Sequence, residues 1–155
     1  FKEGLLHEDQ LFSYQLATTA LTMATVNKPT YIYKMRMSGA ITSSNGRKNF
    51  DSFICILEYM VYSVMQKYST SSVTLEYAQI IRFSYSILLS LYGKHNLTEM
   101  EVVNYELKVD RICRIVTFYK CKLPVPIQIK LTIIKLPQTM RKVLLKWHNK
   151  KIQKK

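Results

Sequence analysis

The last 45 residues of this 155-residue chain contain no aspartate or glutamate. Residues 1–110 hold 10 Lys/Arg and all 10 Asp/Glu, so the whole net charge of +13 resides in residues 111–155. Such asymmetry predicts a polyanionic partner for the tail, either an anionic membrane surface or nucleic acid. Long apolar runs are also missing. The longest candidate, Phe83 to Gly93, is 11 residues and is interrupted by serines and tyrosines, too short to span a bilayer. Residues 1–8 lack the basic and apolar regions of a signal peptide. Phe1 opens what reads as structured sequence, which is expected of a fragment.

Cysteine is scarce and unpatterned. Cys55, Cys113 and Cys121 are odd in number, with no CxxC and no paired histidine. That argues against a disulfide framework and a zinc site, and for a reducing compartment. Cys55 and Cys113 fall in apolar helical patterns and read as buried thiols. His95 and His148 have no metal-ligand spacing, and His95 sits where a cation suits a helix C-terminus. No internal repeat is present.

What is there is mostly helical. Asp9 to Met23 carries Leu11, Phe12, Leu16, Ala20 and Met23 with few charges, a helix expected to be covered on both sides. Asn27-Lys28-Pro29 is a turn, and Thr30 to Met37 alternates with period two as an aromatic strand. Ser38 to Arg47 is a Ser/Gly-rich loop and the best subdomain boundary. Lys48 to Tyr68 presents Phe50, Phe53, Ile54, Leu57, Met60, Val61, Val64 and Met65 on one broad face. Ser71 to Tyr92 repeats this through Leu75, Ile80, Ile81, Leu88 and Leu91, with Gly93 as terminator. Thr98 to Glu101 has capping-box spacing and opens a helix through about Tyr119. Pro124 and Pro126 break the chain. Ile127 to Leu136 fits strand or helix by period, and its helical surroundings favour helix. Pro137 suits the first turn of a last helix, whose Met140, Val143, Leu144 and Trp147 form a narrow apolar stripe among lysines.

One acidic pair stands out. Glu8 and Asp9 follow His7 at a predicted helix start, where free backbone N–H groups and the helix dipole favour carboxylates on structural grounds alone. The same position also holds a carboxylate rigidly enough to act as a general base. His7-Glu8-Asp9, Val26-Asn27-Lys28-Pro29, Tyr31-Ile32-Tyr33-Lys34-Met35-Arg36 and Ile41-Thr42-Ser43 occur in that order over about 40 residues. Together they resemble the end of the catalytic domain of family-2 glycosyltransferases, the inverting GT-A enzymes of bacterial surface polysaccharide synthesis. Lys34 stands where arginine is usual in that family, and Gly39-Ala40 replaces a more polar stretch.

The resemblance implies Asp9 as the catalytic base, Glu8 as its structural or acceptor-orienting neighbour, and His7 lining the acceptor or diphosphate side. It implies Lys34 and Arg36 as a clamp for the nucleotide diphosphate, with a solvated strand edge as the plain alternative for Arg36. Tyr31 and Tyr33 read as core aromatics. A nucleotide sugar would be donor, a glycan or lipid-linked molecule acceptor, and the inner face of the plasma membrane the location. The family's Mg²⁺ or Mn²⁺ is bound through a DxD motif, and this chain has no DxD, GxGxxG or Walker loop. The QxxRW motif of processive synthases is absent too. The expected fold is therefore mainly α: residues 1–43 end a GT-A α/β domain with one helix and a short edge strand or hairpin. Residues 44–123 form a helical accessory subdomain, and 124–155 basic amphipathic helices. Alone, the chain is expected to be inactive.

For the tail, an apolar stripe flanked by lysines suits a helix lying in an anionic leaflet, each lysine contributing about 1 kcal/mol near the surface. Trp147 suits the headgroup level. A helix packed on its own domain with a solvated lysine face is the plain alternative. Nucleic acid comes last, because the tail lacks a recognised module and is poor in aromatics for stacking. The rival to the enzyme is a non-enzymatic helical protein with such a tail, in which Glu8 and Asp9 merely cap a helix.

Overall fold

A computed structural model describes residues 4–24, 26–29, 46–66, 73–93, 96–116 and 123–152. They form six helices and, among the described residues, no strand: α1 (Glu8–Thr19), α2 (Arg47–Gln66), α3 (Thr74–Leu91), α4 (Glu99–Val116), α5 (Val125–Lys135) and α6 (Gln138–Ile152). The protein is mainly α, as expected. The strand expected at 30–37, with Tyr31, Tyr33, Lys34 and Arg36, lies outside the described residues, as do Ile41-Thr42-Ser43, His95 and Cys121.

α3 is the hub. It packs against α2, α4, α5 and α6, while α1 lies on α2. Its buried residues, Tyr77, Ala78, Ile80, Ile81, Ser84, Tyr85, Ile87, Leu88 and Leu91, cover about half of the helix circumference, while Leu75, Gln79, Arg82, Ser86 and Ser90 leave the opposite face exposed. So broad an apolar face needs more than one neighbouring helix to cover it. α2 contributes Phe50, Ile54, Leu57, Met60, Val61 and Val64, as its periodicity predicts, although Met65 and the Leu75 of α3 point outward. α5 is a helix rather than a strand, with Pro124 as N-cap and Pro126 in the first turn. The missing proline N–H groups cost nothing there. Its Ile127 and Ile134, seven residues apart and so on one side, are fully buried.

Several boundaries differ from expectation. α1 ends at Thr19 because Ala20 turns extended (φ −67°, ψ 127°). Only Leu11 and Tyr14 of α1 are buried; Phe12 and Leu16 are half exposed, and Leu21 and Met23, beyond the helix, face solvent. The helix is covered on one side, not two, because α2 is the helix it packs along. Pro137 precedes α6 instead of opening it, its carbonyl accepting from the Arg141 N–H at 3.0 Å. Cys113 is buried, and burial pushes its thiol up to about 11, whereas Cys55 is only half-buried.

The capping box at α4 forms as its spacing predicts. The Thr98 N–H donates to Glu101 Oε2 at 2.8 Å, and the Glu101 N–H donates to Thr98 Oγ1 at 3.3 Å. Arg47, opening α2, pairs with the same Glu101 carboxylate. Replacing Thr98 with alanine is expected to cost about 1 kcal/mol in a denaturant titration. The Thr98 N–H first, then Arg47, holds the Glu101 carboxyl down at about 2. A lowered folded pKa gives stability that is complete above the ordinary carboxyl value and is lost as pH falls towards about 2. The unfolding midpoints of the protein and its Glu101→Gln variant should therefore converge as pH is lowered from 5 to about 2.

Candidate functional site

The entry to α1 is fastened to α2. Gly4 (φ 77°) and His7 (φ 63°, ψ 36°) both adopt left-handed backbone, so the chain folds back on itself before the helix begins. The Leu6 N–H donates to Ser52 Oγ at 3.1 Å, and the His7 ring stacks on Phe53 with centroids 4.6 Å apart. About two turns further along, the Tyr14 hydroxyl donates to the Met60 carbonyl at 3.2 Å and Gln15 Nε2 donates to the Tyr59 hydroxyl at 2.9 Å. Burial pushes the Tyr14 hydroxyl up to about 12. A non-glycine residue in the left-handed region costs of order 1 kcal/mol, and the stacked ring and the Ser52 contact hold it there.

Glu8 and Asp9 occupy the first turn of α1, and both are exposed. The N-cap is His7, which makes no side-chain cap bond, and neither carboxylate has a hydrogen bond or ion pair to a described residue. The capping reading thus accounts for their place near the dipole but for no specific contact. His7 turns its ring onto Phe53 instead of outward, with Nε2 buried and unpartnered. Its geometry is that of a residue that positions the turn.

Beside this turn lies a cleft of about 280 Å³ between α1, α2 and α3. Asp9 and Ser13 are four residues apart on α1, hence on one side of it, and Ser13 lines the cleft. Gln10, Gln79, Arg82 and Ser86 supply amide, guanidinium and hydroxyl groups around its rim, and Tyr14, Met60 and Phe83 form apolar walls. Polar groups converging over an apolar or aromatic wall are what a hydroxyl-rich ligand requires. Sequence reasoning missed these residues because three helices supply them at separations that carry no motif.

A second concentration of charge joins α4 to α6. Arg141 is only 3% exposed and Glu106 2%. Its guanidinium makes four hydrogen bonds and a further ion-pair contact. Nε donates to Glu106 Oε1 at 2.8 Å, and NH1 and NH2 grip Asp110 Oδ1 and Oδ2 at 2.5 and 2.9 Å. NH1 also donates to the Ile134 carbonyl at 2.6 Å, and NH2 reaches Glu106 Oε1 at 2.5 Å. Gln138 Nε2 donates to the remaining Glu106 oxygen at 2.7 Å. Burial alone would lower the guanidinium pKa; the bonds and charges of Asp110 and Glu106 outweigh it and hold it above its ordinary value. The cluster is internally satisfied, which marks it as structural. On the same helix the Tyr85 hydroxyl meets His148 Nδ1 at 2.7 Å, and Asn149 Nδ2 donates to the Leu89 carbonyl at 2.8 Å.

No group of three or more His, Cys, Asp or Glu among the described residues is arranged to hold a metal ion. No step below depends on the divalent metal implied by the resemblance. No helix of the described residues is long and apolar enough to cross a membrane. Lys34 and Arg36 lie outside the described residues, so their relation to Asp9 is not part of this geometry. In comparison with known proteins, the chain matches no family model, no curated protein and no solved structure.

Proposed function

We propose that this chain forms the acceptor side of an inverting, nucleotide-sugar-dependent glycosyltransferase of the GT-A type, with Asp9 as the base. The observation that carries the reading is an exposed carboxylate pair, engaged by no described residue, on a helix start fastened to α2. An acceptor sugar lies in the cleft lined by Ser13, Arg82 and Phe83 and presents one hydroxyl to Asp9. Asp9 takes the hydroxyl proton as the oxygen attacks the anomeric carbon of the donor. The bond from that carbon to the nucleotide diphosphate breaks on the opposite face, and the electron pair leaves with the diphosphate. Configuration inverts because one in-line displacement occurs. A fixed base within hydrogen-bonding reach supplies about 10²–10⁴-fold of such a rate.

Glu8 orients the acceptor or supports the turn, and His7 sets the turn by stacking on Phe53. In this reading Lys34 and Arg36 clamp the diphosphate, and the enzyme works at the inner face of the plasma membrane on a glycan or lipid-linked acceptor. The test is sugar transfer from a panel of nucleotide sugars, by the 155-residue protein and by the longest reading frame that contains it. Transfer by the longer protein alone, with inverted product, supports the reading. Absence of transfer from both counts against it.

A further inference from the structure

α6 is packed the opposite way round from a simple amphipathic helix. Its buried residues are Arg141 and Leu145, with His148 and Asn149 half-buried beside them. The large apolar side chains face outward: Met140 56%, Val143 69%, Leu144 41% and Trp147 56% exposed. These four fall at i, i+3, i+4 and i+7, so they form one continuous stripe. The helix cannot simply roll to bury it. Arg141 is locked by four hydrogen bonds to Glu106, Asp110 and the Ile134 carbonyl, and Leu145 is fully buried.

We infer that this outer face is a docking surface for an anionic bilayer, lying in the headgroup interface with Met140, Val143, Leu144 and Trp147 inserted. The charge around the stripe selects that occupant. Arg141 is neutralised inside the protein, while Lys142, Lys146, Lys150 and Lys151 on the same helix are all exposed. Lys142 and Lys146 border a groove that also contains Glu99 and Glu106, and Lys150 and Lys151 carry the end of the helix. Lys151 Nζ lies 3.7 Å from the Trp147 ring centroid, which pairs an interfacial aromatic with an ammonium at the same depth. Apolar stripe, flanking lysines and a tryptophan make an interfacial helix, with lysine stems snorkelling towards phosphate. A second copy of the chain would set one lysine row against another. A polynucleotide would leave the apolar stripe uncovered.

Trp147 is the sole tryptophan of the chain, so its emission reports the docking directly. With vesicles of phosphatidylcholine containing phosphatidylglycerol, the emission should shift to the blue and the protein should co-sediment. Phosphatidylcholine alone should give neither. Val143→Glu, at an exposed position, should lower the partition coefficient by about tenfold or more while helicity and unfolding midpoint stay unchanged. Lys150→Gln with Lys151→Gln should weaken binding and flatten its salt dependence. The inference fails if anionic vesicles produce no shift, or if Val143→Glu binds as tightly as the parent. It fails equally if Trp147 is shielded by concentration-dependent self-association without lipid, or if DNA binds in a manner that Val143→Glu leaves unchanged. It stands or falls independently of the transferase reading.

Discussion

Replacing Arg141 with methionine is expected to destabilise the protein by about 3–5 kcal/mol, read as a fall in the urea unfolding midpoint. The side chain is 3% exposed and faces a Glu106 carboxylate that is 2% exposed. Methionine fills similar volume but donates nothing, so the cost is the negative charge left on Glu106 without its partner, with Asp110 partly so. A second variant separates that cause from lost packing. Arg141→Met combined with Glu106→Leu removes both charges and should recover a large part of the loss, because a buried pair replaced whole by apolar groups is often close to neutral. If the double variant is as unstable as the sum of the two single ones, the pair is not coupled and packing is the cause. The loss should also show at the far end of α6, since Arg141 sets the helix's rotation.

That arginine is where sequence and structure part most instructively. The spacing of Met140, Val143, Leu144 and Trp147 correctly marks an apolar stripe on α6, yet periodicity cannot say whether protein, lipid or solvent covers it. Here the inward side is chosen by Arg141, which meets two carboxylates one turn apart on α4. Glu106 and Asp110, four residues apart, were the available signal, but the partner lies more than 30 residues away. By contrast α2, α3 and the Thr98 capping box were legible, because their apolar faces and local bonds rest on residues within a few turns. α5 was readable only by its helical context, its alternation of Ile127, Ile129, Leu131 and Ile133 fitting a strand equally well. α1 misled in a simpler way. Leu16 and Met23 continue its apolar pattern, but the helix stops at Thr19 and packs along α2 on one side.

The entry to α1 shows the same division. His7-Glu8-Asp9 was conspicuous as a string of residues, and the structure places both carboxylates on the exposed first turn of a helix. What the string did not convey is the fastening of that turn: the left-handed His7, its stack on Phe53, and the Leu6–Ser52 bond. These are contacts between residues more than 40 positions apart. The cleft lined by Gln10 and Ser13 was equally invisible, because Gln79, Arg82, Phe83 and Ser86 become neighbours of α1 only once α3 is in place.

Replacing Asp9 with asparagine should lower kcat for sugar transfer by about 10²–10⁴-fold with little change in KM, in the longest reading frame that contains this chain. The substitution keeps the size and the hydrogen-bonding reach of the side chain but cannot accept the hydroxyl proton. Because Asp9 is exposed and bonded to no described residue, the fold should be untouched. Glu8→Gln should cost less, as expected of a neighbour that orients without taking the proton. The most direct test is therefore transfer rate measured side by side for the parent, Asp9→Asn and Glu8→Gln proteins, with matched unfolding midpoints. A loss of about 10²-fold or more confined to Asp9→Asn is the predicted result. Transfer by Asp9→Asn at the parental rate, or an equal loss in both variants, would contradict Asp9 as the base.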